Sequence, residues 1–212
     1  MEDQIILIDK PAGISSFGVV AKVRKKLRDE FGHKIKVGHT GTLDPFATGL
    51  LILLSGKMTK KSGEFLKLDK EYIAELKLGF TSTTGDPEGE ITKVNDINTD
   101  INEIKNVLNN FIGEIEQTPP KFSAIKINGQ RAYKLARKGQ DFEIPSRKVT
   151  IYNIEILDYN YPKLKIKCHV SSGTYIRTLA EDIGKALGTG AYLTALRRTK
   201  IGNYDLNKGA TP

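Results

Sequence analysis

Residues 38–54 read Gly38-His39-Thr40-Gly41-Thr42-Leu43-Asp44-Pro45-Phe46-Ala47-Thr48-Gly49-Leu50-Leu51-Ile52-Leu53-Leu54. The first twelve are punctuated by glycine and proline and follow neither a helical nor an alternating apolar period, so they form a loop. The last five are all aliphatic, as in a strand buried on both faces. Working outward, Gln4-Ile5-Ile6-Leu7-Ile8 is a second short buried strand, and Asp9-Lys10-Pro11-Ala12-Gly13 turns the chain. Ser15 or Ser16 then caps a helix whose apolar stripe is Val19, Val20, Val23 and Leu27. Its opposite face carries Lys22, Arg24, Lys25, Lys26 and Arg28.

Beyond the loop, Tyr72, Ala74, Leu76 and Leu78 alternate with Glu71, Glu75 and Lys77, the pattern of a strand with one wet face. Residues 81–99 are polar and read as a long surface loop. Ile101, Ile104, Val107, Leu108 and Phe111 mark an amphipathic helix. Residues 121–127 read as a strand and 131–138 as a short helix stopped by Gly139. Strands follow at 149–158 and 164–170, joined at Asn160-Tyr161-Pro162; a helix covers 174–187 and a last strand 193–201. This order predicts an α+β domain on a mixed, largely antiparallel central sheet with flanking helices, spanning residues 1–212 as one domain.

The composition removes several function classes. With 39% hydrophobic and 27% charged residues, the 212-residue chain has ordinary globular character. At this length folding buries roughly 70% of the unfolded chain's surface, so no staples are required. The sequence has no apolar run of membrane-spanning length, and its Met-Glu-Asp-Gln start lacks the basic region of a targeting peptide. Cys168 is the single cysteine, which points to a reducing, cytoplasmic setting. One Cys with His33, His39 and His169 makes no common zinc site, and no phosphate-loop or dinucleotide fingerprint is present. The expectation is therefore no metal and no cofactor.

Charge is unevenly placed. The net charge is +8, yet residues 86–116 hold eight acids and two lysines, a local balance of −6 that leaves +14 on the remainder. Residues 121–148 carry eight Lys or Arg against Asp141 and Glu143. Such a stretch either contacts phosphates or is a solvated face. In the 38–49 loop Asp44 is the only acid; it is a turn former or a reactive carboxylate. In Val170-Ser171-Ser172-Gly173-Thr174-Tyr175-Ile176-Arg177 a strand runs through a glycine turn into a helix, and Arg177 lies in its first turn. The helix dipole disfavours a cation there, so Arg177 is either solvated or held by a carboxylate or phosphate.

Four segments together resemble the bacterial tRNA pseudouridine synthase B family. They are Asp9 to Ser16, Gly38 to Gly49, Gln117-Thr118-Pro119-Pro120-Lys121-Phe122-Ser123-Ala124-Ile125-Lys126 with Gly129 to Tyr133, and Ser171 to Leu179 with Leu196-Arg197-Arg198-Thr199. The resemblance implies a pseudouridine synthase fold and the isomerisation of uridine 55 in the T-arm loop of tRNA, with no cofactor. It makes Asp44 the catalytic aspartate, Arg177 its partner, and Tyr72 the aromatic that stacks on the target base; Tyr72 also reads as a core strand residue. It gives His39 the space vacated by the extruded base, and Lys10, Pro11, Leu196, Arg197 and Arg198 pocket-shaping or backbone-contacting positions. Residues 117–148 become a basic RNA-gripping insertion. The partners implied are the tRNA T-arm stem-loop and no other protein, with the chain acting as a monomer. The chain resembles a short form without an evident C-terminal RNA-binding domain of the PUA type. One departure stands in the first segment: Phe17-Gly18 follows Ser15-Ser16 where relatives often carry an acid. Two other functions fit the same scaffold, a non-catalytic RNA-binding or RNA-folding protein and a pseudouridine synthase acting on another RNA.

Overall fold

The computed structural model describes residues 2–127 and 129–206. In chain order the strands are β1 (Ile5–Lys10), β2 (Val37–His39), β3 (Thr48–Ser55), β4 (Lys70–Leu78), β5 (Phe80–Ser82), β6 (Ile91–Lys93), β7 (Gly113–Gln117), β8 (Lys126–Ile127), β9 (Gln130–Arg131), β10 (Arg147–Asn160), β11 (Lys163–Val170), β12 (Ala191–Ile201) and β13 (Tyr204–Asp205). The α-helices are α1 (Ser16–Phe31), α2 (Ser62–Leu66), α3 (Ile101–Asn109), α4 (Ala132–Arg137) and α5 (Ile176–Ala186). The α+β class and the largely antiparallel sheet are as the sequence predicts. Contacts group the chain into two compact units, one holding residues up to Ile73 and from Leu196 onward, the other Ala74–Ala195.

In the first unit β3 is the centre. β1 pairs antiparallel along its whole length, from Ile5↔Leu54 to Lys10↔Gly49. The C-terminal half of β12 pairs with it in parallel at Arg197↔Thr48 and Arg198↔Gly49. The unbroken aliphatic run of β3 is explained by cover on both faces. Leu51 and Leu53 pack with Ile8, Val37 and the Val19, Val20, Val23 and Leu27 stripe of α1. Leu50, Ile52 and Leu54 pack with Phe65 and Ile201. Ser15 caps α1, accepting from the Gly18 amide at 3.0 Å, and Gly32 closes the helix in the left-handed conformation.

In the second unit, β10 pairs with β11 and with β7, both antiparallel. Ile104 and Leu108 of α3, and Ile176, Leu179, Ala180 and Ile183 of α5, are buried, as their spacing requires. Ala74, Leu76 and Leu78 of β4 are buried here, as is Tyr72 of the same strand at the end of the first unit.

Three expectations need correction. Residues 81–99 are not simply a loop: β5 and β6 form a hairpin with Phe80↔Lys93, Thr81↔Thr92 and Ser82↔Ile91 in register. Its turn is built by side chains, with Ser82 Oγ donating to Asp86 O at 2.6 Å and Thr84 Oγ1 to Asp86 Oδ1 at 2.6 Å. Polar turn chemistry leaves no apolar period to read. Of residues 121–127, only Lys126–Ile127 is strand. The Ser123 and Ile125 carbonyls instead accept from the amides of Tyr133 and Ala132, folding the segment onto α4. The loop of residues 37–49 is shorter than expected, because Val37–His39 pairs with β3 and β3 begins at Thr48.

Candidate active site

The loop bearing Asp44 is fixed to the first unit by bonds on each side of the carboxylate. On its N-terminal side, Ser16 Oγ accepts from Leu43 N at 2.8 Å and donates to Leu43 O at 3.0 Å. Ser16 and Leu43 are both buried, so this reciprocal pair is shielded from water. Ser15 caps the helix, which leaves its neighbour free for this second task. On the C-terminal side, Ala47 N donates to Asp44 O at 3.1 Å, closing a turn with Pro45 at its second position. Pro45 O is held by Gly13 N at 2.8 Å and by Lys10 Nζ at 3.2 Å.

Lys10 has no exposed surface; its ammonium also donates to Pro11 O and Ile14 O, both at 2.8 Å. It therefore ties the turn after β1 to the Asp44 loop, while Pro11 is exposed on the same turn. Arg198 is 1% exposed and donates to Leu50 O at 2.8 Å and Gly41 O at 3.2 Å, binding the start of the loop to β3. Of the backbone-contacting alternatives, Lys10 and Arg198 are thus buried braces. Arg197 is partly exposed and pairs with Asp9 at 2.6 Å, also reaching Thr48 Oγ1 at 3.3 Å. Leu196 is buried at the head of this segment. Gly49 lies where β12 passes: with φ +103°, a Cβ there would sit 2.2 Å from Arg198 O, so only glycine fits. His39 ends β2, half-buried opposite Leu53. Tyr72 is 8% exposed on β4, two residues after Lys70. Lys70 donates to the carbonyls of Leu66, at 2.8 Å, and Leu68. Burial and the Arg198 charge pull its ammonium down to about 8, against the opposing effect of Asp69.

Arg177 belongs to the second unit, one residue into α5, and is 4% exposed. It is not solvated. Nη1 donates to Thr84 O at 2.9 Å, Nη2 to Phe122 O at 2.8 Å, and the guanidinium lies 3.3 Å from Asp86 Oδ2. Asp86, itself 3% exposed, also accepts from the Glu88 amide at 3.0 Å. The helix-dipole argument leaves Arg177 either solvated or held by a carboxylate or phosphate; the structure supplies a carboxylate, Asp86, which nothing in the sequence marks beyond its place in Gly85-Asp86-Pro87. Glu181, one turn along α5, has its carboxyl pushed up by burial, with the Lys185 charge opposing.

Gln117 appears in the sequence only as the start of a family-like segment, with no sign of what it holds. Its buried amide donates to Tyr175 O at 3.1 Å and accepts from Tyr175 N at 2.7 Å, fixing the residue that precedes α5. Opposite Gln117 in the ladder is Arg147, whose guanidinium donates to Gly173 O and lies 5.0 Å from the Tyr175 ring centre. The basic segment between these two residues holds the β8–β9 hairpin and α4, with Arg137 5.7 Å from the Tyr133 ring centre. Among the described residues no three His, Cys, Asp or Glu side chains gather as a metal site would, and no helix is long and apolar enough to cross a membrane.

The fold is that of pseudouridine synthases. A solved pseudouridylate synthase, 18% identical, superposes with a TM-score of 0.50 over 99% of this chain and 68% of its own. A chain from a solved Cbf5–Nop10–Gar1 complex, 32% identical, superposes at 0.73 over 97% of this chain, which spans 50% of that longer one. Within this class the chain belongs to the TruB family of pseudouridylate synthases: the family's N-terminal domain matches residues 25–176, and the tRNA pseudouridylate synthase B C-terminal domain matches residues 177–211. It is similar to the tRNA pseudouridine synthase B of Phocaeicola vulgatus, 48% identical over 97% of this chain and 88% of the relative. The Parabacteroides distasonis protein of the same name is 47% identical over 99% and 90%. The family is one of isomerases, and the chain is an enzyme of that kind.

Proposed function

We propose that this tRNA pseudouridine synthase acts on uridine 55 in the T-arm loop, with Asp44 as the catalytic carboxylate. The observation that carries this reading is the locked loop: bonds to Leu43, Asp44 and Pro45 fix the backbone on both sides of Asp44. An aspartate is a weak nucleophile, and orientation is what makes it useful. The reaction breaks the N1–C1′ glycosidic bond, turns the uracil, and joins C5 to C1′. The C5 proton leaves and N1 gains one, so atoms and electrons balance without a cofactor.

Reaching the bond requires the uridine to be extruded from its stack, at a cost of a few kcal/mol. His39 fills the vacated space and Tyr72 stacks on the extruded base. The resemblance makes Arg177, whose guanidinium is held by Asp86, the residue whose charge keeps the catalytic carboxylate ionised. Lys10, Pro11, Leu196, Arg197 and Arg198 shape the pocket. The lysines and arginines of residues 121–148 hold RNA phosphates. An isolated T-arm stem-loop suffices as substrate, and the enzyme works as a monomer in the cytoplasm.

The test is Asp44→Asn, which keeps shape but removes charge and nucleophilicity. Single-turnover pseudouridine formation should fall below detection while filter binding of tRNA persists, because binding rests on cations. More than a few per cent residual rate would remove Asp44 from the mechanism.

A further inference from the structure

Phe17 stands 65% exposed on the first turn of α1, the most exposed of the large hydrophobic side chains described. It sits one residue after Ser16, whose hydroxyl holds Leu43, the residue before Asp44. The helical period extends Phe17 into a stripe with Ala21, Arg24, Lys25 and Arg28, all exposed. Arg24 is fixed in this stripe: it donates to Val37 O at 2.9 Å, and its guanidinium carbon is 6.0 Å from the Phe17 ring centre. An apolar ring at the end nearest the Asp44 loop and three cations further on, all within about 16 Å of helix, combine the two elements that single-stranded nucleic acid requires. The ring offers a face for a base and the cations offer partners for successive phosphates. The neighbouring Gly18 brings no charge to this turn. A Cβ at Gly18 would lie 2.8 Å from Ile14 Cγ1, so a larger residue would have to displace Ile14.

We infer that Phe17 is a base-stacking residue, taking an unpaired nucleobase of the substrate RNA while Arg24, Lys25 and Arg28 follow its backbone. The occupant is RNA rather than a second protein because the stripe is cationic and the chain carries +8 overall. The inference rests on the proposed function for its substrate and adds a contact outside the residues assigned there.

The sequence contains no tryptophan. Phe17→Trp therefore installs one tryptophan, excitable apart from the tyrosines, at the position in question, with Leu66→Trp as a control on the exposed surface of α2. The probe is a T-arm stem-loop RNA. Phe17→Trp emission should change saturably with RNA at one equivalent, and Leu66→Trp emission should not. Phe17→Ala should weaken binding about 5- to 150-fold with an unchanged salt slope, while Phe17→Tyr retains affinity. Lys25→Ala and Arg28→Ala should instead each reduce the slope of log affinity against log salt by about one. Equal affinity of Phe17→Ala and wild type, or emission from Phe17→Trp that ignores bound RNA, overturns the inference. So does self-association in sedimentation that is lost in Phe17→Ala, which would make a second copy the occupant. If wild type binds the RNA but makes no pseudouridine, the proposed function fails while the fluorescence and affinity series still decide Phe17.

Discussion

Ser16→Ala removes one oxygen and leaves two main-chain groups stranded. Ser16 Oγ is the partner of both Leu43 N, at 2.8 Å, and Leu43 O, at 3.0 Å, and both residues are buried. A buried polar group deprived of its partner costs about 1–3 kcal/mol. Two such groups, partly relieved by local shifts, give ~2–4 kcal/mol. At about 2–4 °C per kcal/mol for a chain of this size, the melting temperature should fall by roughly 4–16 °C. The rate should fall further than stability alone explains, because Leu43 adjoins Asp44 and a displacement near 1 Å can cost on the order of 100-fold. Ser15→Ala is the matched control, losing only the cap bond to Gly18 N, about 1 kcal/mol, with the Leu43 pair intact. The assay is thermal unfolding by circular dichroism, together with single-turnover pseudouridine formation well below the transition. If Ser16→Ala melts within 2 °C of wild type and turns over at the same rate, the loop is not held as described.

Asp86→Ala should cost about 3–5 kcal/mol in denaturant unfolding, because it withdraws a carboxylate from the buried Arg177 guanidinium. Asp86→Asn should cost less, as it still accepts from Thr84 and Glu88. Lys70 gives a pH signature whose sign is fixed by its lowered pKa, about 8 against 10.5. Above pH 8 the folded state releases this proton while the unfolded chain retains it, so stability due to Lys70 rises between about pH 8 and 10.5. The melting-temperature difference between wild type and Lys70→Met should be flat below pH 8 and move in favour of wild type above it.

What the sequence disclosed and what it withheld divide along a physical line. An unbroken aliphatic run located β3, and apolar periodicity located β4, α1, α3 and α5, because burial repeated along an element leaves a pattern. Gly49 and Asp44 were visible through their loop, and Arg177 through its unfavourable place at a helix start. Asp86 and Gln117 each reach one distant residue, Arg177 and Tyr175, 91 and 58 positions away. Nothing periodic announces such a contact. Ser15 and Ser16 were interchangeable as helix caps in the sequence, and only the position of Leu43 assigns them separate tasks. For Lys10 and Arg198 the sequence leaves open whether they face RNA or the interior, and only the fold shows both side chains to be buried.

The pairing of Gln117 with Arg147 brings the two ends of the basic insertion to one rung of the ladder. Each end is separately moored, Gln117 to the Tyr175 main chain and Arg147 to Gly173 and the Tyr175 ring. A segment whose endpoints are fixed this way behaves like an exchangeable cartridge. Doubling the length between them adds only about 0.6 kcal/mol of closure entropy. The stretch can therefore be lengthened, shortened or recharged without re-registering β7 and β10 or moving the turn that presents Arg177.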